Sequence, residues 1–154
     1  MSRIEDLQSK VATANNSQLL EIIYESMLIN INEAKKAMAL DNRAVVKEKN
    51  NNIREALAHL MSTLEGVDEE SLKLKSLYLY INELVTNAEF KNDSNFYETA
   101  INIITPIKDA WKSLGEKEAL TSNDSKPAIR AGATYGKNDI NEYVTRTSKD
   151  WDMG

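Results

Sequence analysis

No glycine or proline interrupts the chain before Gly66, and up to that point nothing in it would stop a helix. Apolar residues recur there, and on to Leu114, at alternating spacings of three and four, which is the helical period. Five segments carry the pattern. A short one over 3–12 has Ile4, Leu7 and Val11, and a second over 16–40 has Leu20, Ile23, Met27, Ile31, Ala34 and Met38. The third, 43–65, has Val46, Ile53, Leu57, Leu60 and Leu64; the fourth, 69–92, has Leu74, Leu77, Ile81, Leu84 and Ala88. The fifth, 94–114, has Tyr97, Ile101, Ile104, Trp111 and Leu114. Three of the five glycines fall in the last 23 positions, where the apolar period is lost. This predicts a helical domain over 1–115 and a tail over 116–154, partly disordered or loosely docked.

The segment ends agree. Asn15 followed by Gln18 resembles a capping box, and Asp41, Asp68 and Asp93 stand where N-caps are wanted. Gly66 and Gly115 suit positions just past helix C-termini. Short connections make neighbouring helices antiparallel. The expected fold is all-α: an antiparallel four-helix bundle with a short additional N-terminal helix and a weakly structured C-terminal tail. Two local features oppose it. Asn50-Asn51-Asn52 weakens the third segment, because asparagine side chains compete for the backbone. Pro106 removes a hydrogen bond inside the fifth, but the pattern resumes in phase at Ile107, Trp111 and Leu114, which predicts a kink and not a break.

Several chemistries are excluded by composition. The absence of cysteine rules out a disulfide scaffold, a zinc–thiolate site and a thiol nucleophile, and suits a reducing cytosol. A net charge of −5 is unlike a nucleic-acid footprint, and no apolar run approaches the ~20 residues that insert across a bilayer. The first residues, Met-Ser-Arg-Ile-Glu-Asp, lack the apolar core of a secretory signal. No phosphate loop, dinucleotide fingerprint or nucleophile elbow occurs, and a single histidine excludes the usual di-iron set. The chain is therefore expected to be no enzyme and to need no cofactor or metal. His59 leaves one rival open, a histidine phosphotransfer-type four-helix module, although Ser62 and Thr63 stand where such modules carry a lysine and a small residue. A purely structural, dimerising bundle is the other rival.

More informative are apolar residues in excess of one stripe. Leu19, Ile22 and Ile29 flank the main stripe of the second segment; Leu72, Leu79 and Phe90 lie on the fourth away from Ile81; Phe96, Ala100, Ile103, Ile107 and Ala110 widen the fifth. A helix apolar over most of its circumference must be covered on more than one side. The cover is either the chain's own N-terminal segment and tail or a partner helix seated in a groove. Ile4, Leu7 and Val11, on one face of a segment too short to be stable alone, are expected to pack near Leu19, Ile22 and Leu79 and to compete with that partner.

In order along the chain, Val11-Ala12-Thr13-Ala14, Leu19, Ile23-Tyr24-Glu25, Leu77-Tyr78-Leu79-Tyr80, Ala88, Asn92-Asp93 and Asp109-Ala110-Trp111 resemble the conserved blocks of the flagellin export chaperone family, FliS. The resemblance spans about residues 4–114. It departs at Asn15-Asn16, where the family has Ser-Pro, and at Glu83-Leu84, where it has two arginines. What it implies is a cytoplasmic helical bundle that binds the C-terminal segment of flagellin, prevents premature polymerisation, and passes its client to a component of the flagellar type III export gate. Neither nucleic acid nor membrane insertion enters that reading, and a second copy of the chain is a further partner left open. Ile4, Leu7, Val11, Leu19, Ile22, Ile29, Leu72, Leu79, Ile103 and Ile107 are the expected client contacts, with Tyr24, Tyr78, Tyr80 and Trp111 as framework.

Overall fold

The computed structural model describes residues 15–64 and 68–120. Four helices make it up: α1 (Asn16–Ala39), α2 (Arg43–Ser62), α3 (Glu69–Lys91) and α4 (Asn95–Leu120). No strand occurs among the described residues, and the fold class is the all-α four-helix bundle. The expected helix over 3–12, the turn at Gly66 and the chain beyond Leu120 lie outside the described residues. Packing divides the described chain into two compact units: Met27–Pro106, and the segments 15–26 and 107–120.

In the unit of Met27–Pro106, α1 and α2 are joined by three residues in a Schellman turn. Asp41 takes the left-handed conformation at φ 57°, and the Asn42 and Asp41 N–H groups donate to the carbonyls of Ala37 and Met38. Asp41 is therefore not the N-cap that its position suggested; Asn42 is, its side chain accepting from the Val45 N–H. The α3–α4 link repeats the device. Asn92 is left-handed at φ 53°, and Asp93 and Asn92 donate to Ala88 and Glu89. Asp93 stands one residue before the cap position and accepts from the Asn95 N–H. Asparagine and aspartate do here what glycine usually does, because their short polar side chains tolerate the left-handed region. Asp68 caps α3 as expected, accepting from the Ser71 N–H at 3.0 Å.

The asparagine triplet departs most from expectation. Asn50 and Asn52 are buried, and both are satisfied. Asn50 continues the apolar row of α2 between Val46 and Ile53, so its amide faces the core. Its Nδ2 donates to the Val85 carbonyl and to Glu89 Oε1, both at 2.9 Å, and its Oδ1 accepts from the Tyr97 hydroxyl at 2.6 Å. Asn52 donates to Asn30 of α1 at 3.1 Å. These bonds join α2 to each of the other helices, so the residues expected to weaken α2 instead tie it in place. On the flank, Arg54 donates to Asn82 and Thr86. Residues rising from 50 to 54 in α2 thus meet residues falling from 89 to 82 in α3, which makes the pair antiparallel. Asn30 and Asn52 lie equally far in sequence from Asp41, as an antiparallel α1–α2 hairpin requires.

Apolar burial fills the rest. Met27, Ile31 and Ala34 of α1, Ile53 and Ala56 of α2, Ile81, Val85 and Ala88 of α3, and Tyr97, Ala100 and Ile104 of α4 are fully enclosed. On α3 the buried row runs through Tyr78, Ile81, Val85 and Ala88, while Leu74 and Leu77, expected in the core, are only half-buried.

The second unit is held by the start of α1. Asn15 and Gln18 form the expected capping box: the Asn15 N–H donates to Gln18 Oε1 and the Gln18 N–H to Asn15 Oδ1, each at 2.9 Å. Gly115 does not end the last helix, which runs on to Leu120. Its missing side chain serves another purpose. Asn15 Nδ2 donates to the Gly115 carbonyl at 3.1 Å, and a Cβ on Gly115 would lie 2.6 Å from Gln18 Cγ. One turn later, Ser17 donates to Glu118 at 2.6 Å. Pro106 lies within α4, and the helix continues through it as expected.

Candidate functional site

Leu72, Leu79 and Phe90 stand seven and eleven positions apart on α3 and so share one face. The opposite face carries the buried row of Tyr78, Ile81, Val85 and Ala88. The outer three are exposed by 48%, 57% and 83%. Tyr80, expected as framework, is also exposed on α3, whereas Tyr24 and Tyr78 are buried and Trp111 is half-buried. Large apolar side chains placed repeatedly in water along one helix face suit a surface that another chain covers.

On α4, Ile103 and Ile107 lie one turn apart and are half-buried, beside Ala100 and Ile104, which are enclosed. Leu19, Ile22 and Ile29 of α1 are buried. Between residues 17 and 34, α1 is buried on nearly every side, as its broad apolar circumference predicted. The expected contacts therefore separate by exposure. Leu72 and Leu79 are open to a partner, Ile103 and Ile107 partly so, and the three α1 residues are enclosed. Ile4, Leu7 and Val11 lie outside the described residues.

No set of three histidine, aspartate or glutamate side chains is placed to hold a metal among the described residues. Likewise, no described helix is long and apolar enough to cross a membrane. His59 is half-buried on α2; its carbonyl accepts from Ser62 Oγ, while Thr63 Oγ1 donates to the Leu60 carbonyl. The residues after the histidine thus close the end of α2. Tyr97 has a clearly displaced proton affinity. Burial pushes its phenol well above the usual range, and the charge of Glu89 adds to the shift. Its hydroxyl is already committed to Asn50, so it acts as a tie within the core.

The fold and the face together define an all-α four-helix bundle with an apolar helix face open to solvent. Comparison with known proteins gives the particular family. The model of the family described as "Flagellar protein FliS" matches residues 2–118, and the chain belongs to the FliS family. It is 28% identical over 114 residues to the flagellar secretion chaperone FliS of Bacillus subtilis (strain 168), a match covering 72% of this chain and 84% of that protein. Membership places the chain among the chaperones of flagellum biogenesis.

Proposed function

We propose that this protein is a cytosolic export chaperone that binds the C-terminal helical segment of flagellin, blocks its premature polymerisation and delivers it to the flagellar type III export gate, without catalysing a reaction. The exposed stripe of Leu72 and Leu79 on α3 carries the reading, together with membership of the family. A client segment disordered on its own orders its apolar face against such a stripe and gains the burial that neither partner has alone. Ile103 and Ile107, half-buried on α4, are separate candidate contacts. Leu19, Ile22 and Ile29 contribute only where client binding displaces what encloses them.

Calorimetry with the C-terminal segment of the host's flagellin tests this. The full chain should bind it, and Leu72→Glu with Leu79→Glu should weaken binding at least tenfold with an unchanged melting temperature. Undiminished binding by that variant would remove α3 from the site, and no binding by the parent chain would remove the function. Deleting residues 1–12 should tighten binding if Ile4, Leu7 and Val11 compete with the client. Weaker binding with the remainder folded would make them client contacts instead.

A further inference from the structure

Within the unit of Met27–Pro106, a cleft of about 660 Å³ opens between α2 and the last turns of α3. Arg43, Lys47, Asn51 and Arg54 line it from α2 at spacings of four, four and three, one polar stripe on one helix face. Glu89 and Phe90 line it from α3. Arg54 is held rigidly: Nε donates to Asn82, Nη1 to Asn51 and Nη2 to Thr86, at 3.0, 3.0 and 2.9 Å. Three of the five guanidinium N–H groups are thereby used, and two remain to meet a carboxylate. Lys47 is exposed and forms no ion pair among the described residues, and Arg43 reaches Asp41 only at 3.8 Å. Glu89 already accepts from Asn50. Three cations thus face two acids, Asp41 and Glu89, in a chain of net charge −5, and Phe90 offers an uncovered ring beside them.

We propose that this cleft docks an acidic peptide segment of a partner protein, its carboxylates on Arg54 and Lys47 and one large apolar side chain against Phe90. Charge complementarity selects the occupant: a preordered guanidinium and a free ammonium favour an anionic segment and speed its arrival. The volume is that of a ligand site, and the adjoining ring supplies the apolar anchor that a purely electrostatic contact lacks. The proposal does not rest on flagellin binding, and of the outer face of α3 it uses Phe90 alone, not Leu72 or Leu79.

The test pans the full-length protein against a displayed library of random 12-residue peptides, then measures the most enriched sequence as a labelled synthetic peptide by fluorescence anisotropy. Enriched peptides should be acidic and carry an aromatic residue or leucine. Lys47→Glu, at a side chain with no ion pair to break, should weaken binding at least tenfold; Phe90→Ala should weaken it several-fold; raising the salt should weaken it further. Arg54→Gln is read only alongside a melting curve, since it breaks three hydrogen bonds. Enrichment of neutral or basic peptides, no enrichment, or unchanged affinity in Lys47→Glu would overturn the proposal. So would a change in sedimentation of the protein alone on Phe90→Ala, which would make a second copy the occupant.

Discussion

Helices α1 and α3 are nearly equal in length, at 24 and 23 residues, yet they are built for opposite surroundings. From Ser17 to Ala34, α1 meets protein on nearly every side, and its first turn is clasped to Gly115. Only one face of α3 is buried, and polar bonds hold both it and its flank: the Val85 carbonyl and Glu89 accept from Asn50, and on the flank Asn82 and Thr86 accept from Arg54. The outer face is left apolar and open. The contrast teaches how a bundle can keep a sticky surface and still have one register. Polar bonds on the buried side have strict geometry, so α3 can present leucines to water without rolling them into the core.

Truncation separates the two helices most sharply. Ile31→Ala in α1, where the side chain is fully enclosed, should cost about 2–5 kcal/mol in denaturant unfolding. Leu79→Ala in α3 should change stability by no more than about 0.5 kcal/mol. Similar losses from the two would mean that the outer face of α3 is covered in the free protein.

The polar side of α3 is next. Tyr97→Phe leaves Asn50 Oδ1 buried without its donor, at a cost of about 1–3 kcal/mol. It should also change the response to alkali. The Tyr97 phenol titrates above its unfolded value of about 10, so its contribution is complete below that pH and is lost as pH rises beyond it. Melting temperature should therefore fall less steeply between about pH 9.5 and 11 in the phenylalanine variant. Identical pH profiles would show that the tyrosine ionises without disturbing the network.

The clasp on α1 gives a smaller effect with an informative sign. In a helix, Gly→Ala ordinarily stabilises by up to about 1 kcal/mol. At Gly115 the new methyl group meets Gln18 Cγ and breaks the capping box, so Gly115→Ala should lower stability by about 1 kcal/mol on thermal melting. A raised melting temperature would show that the start of α1 is not held there. Smallest of all, Asn92→Gly relieves the left-handed residue after α3 and should raise stability by less than about 1 kcal/mol, because a freer unfolded chain offsets the gain. A loss would mean that the asparagine side chain contributes to the turn beyond its backbone tolerance.

Much of this molecule is determined by the sequence itself. The four helices of the described residues, the bounds of α1, α2 and α3 to within a few residues, the Asn15–Gln18 box and the cap at Asp68 follow from spacing and side-chain chemistry that act within a few residues of chain. The open face of α3 was legible in the same way, since Leu72, Leu79 and Phe90 fall outside the row through Ile81. Tertiary structure alone decided the rest. An asparagine reads as a helix weakener until Val85, Glu89 and Tyr97 are brought to its amide from other helices. A glycine near an apolar pattern's end reads as a stop until Asn15 and Gln18, a hundred residues away, are packed against it. Arg54, Lys47 and Phe90 share a cleft only because α2 and α3 run side by side. Local propensity depends on neighbours along the chain, whereas the worth of a polar group or of a missing methyl depends on what the fold places across from it.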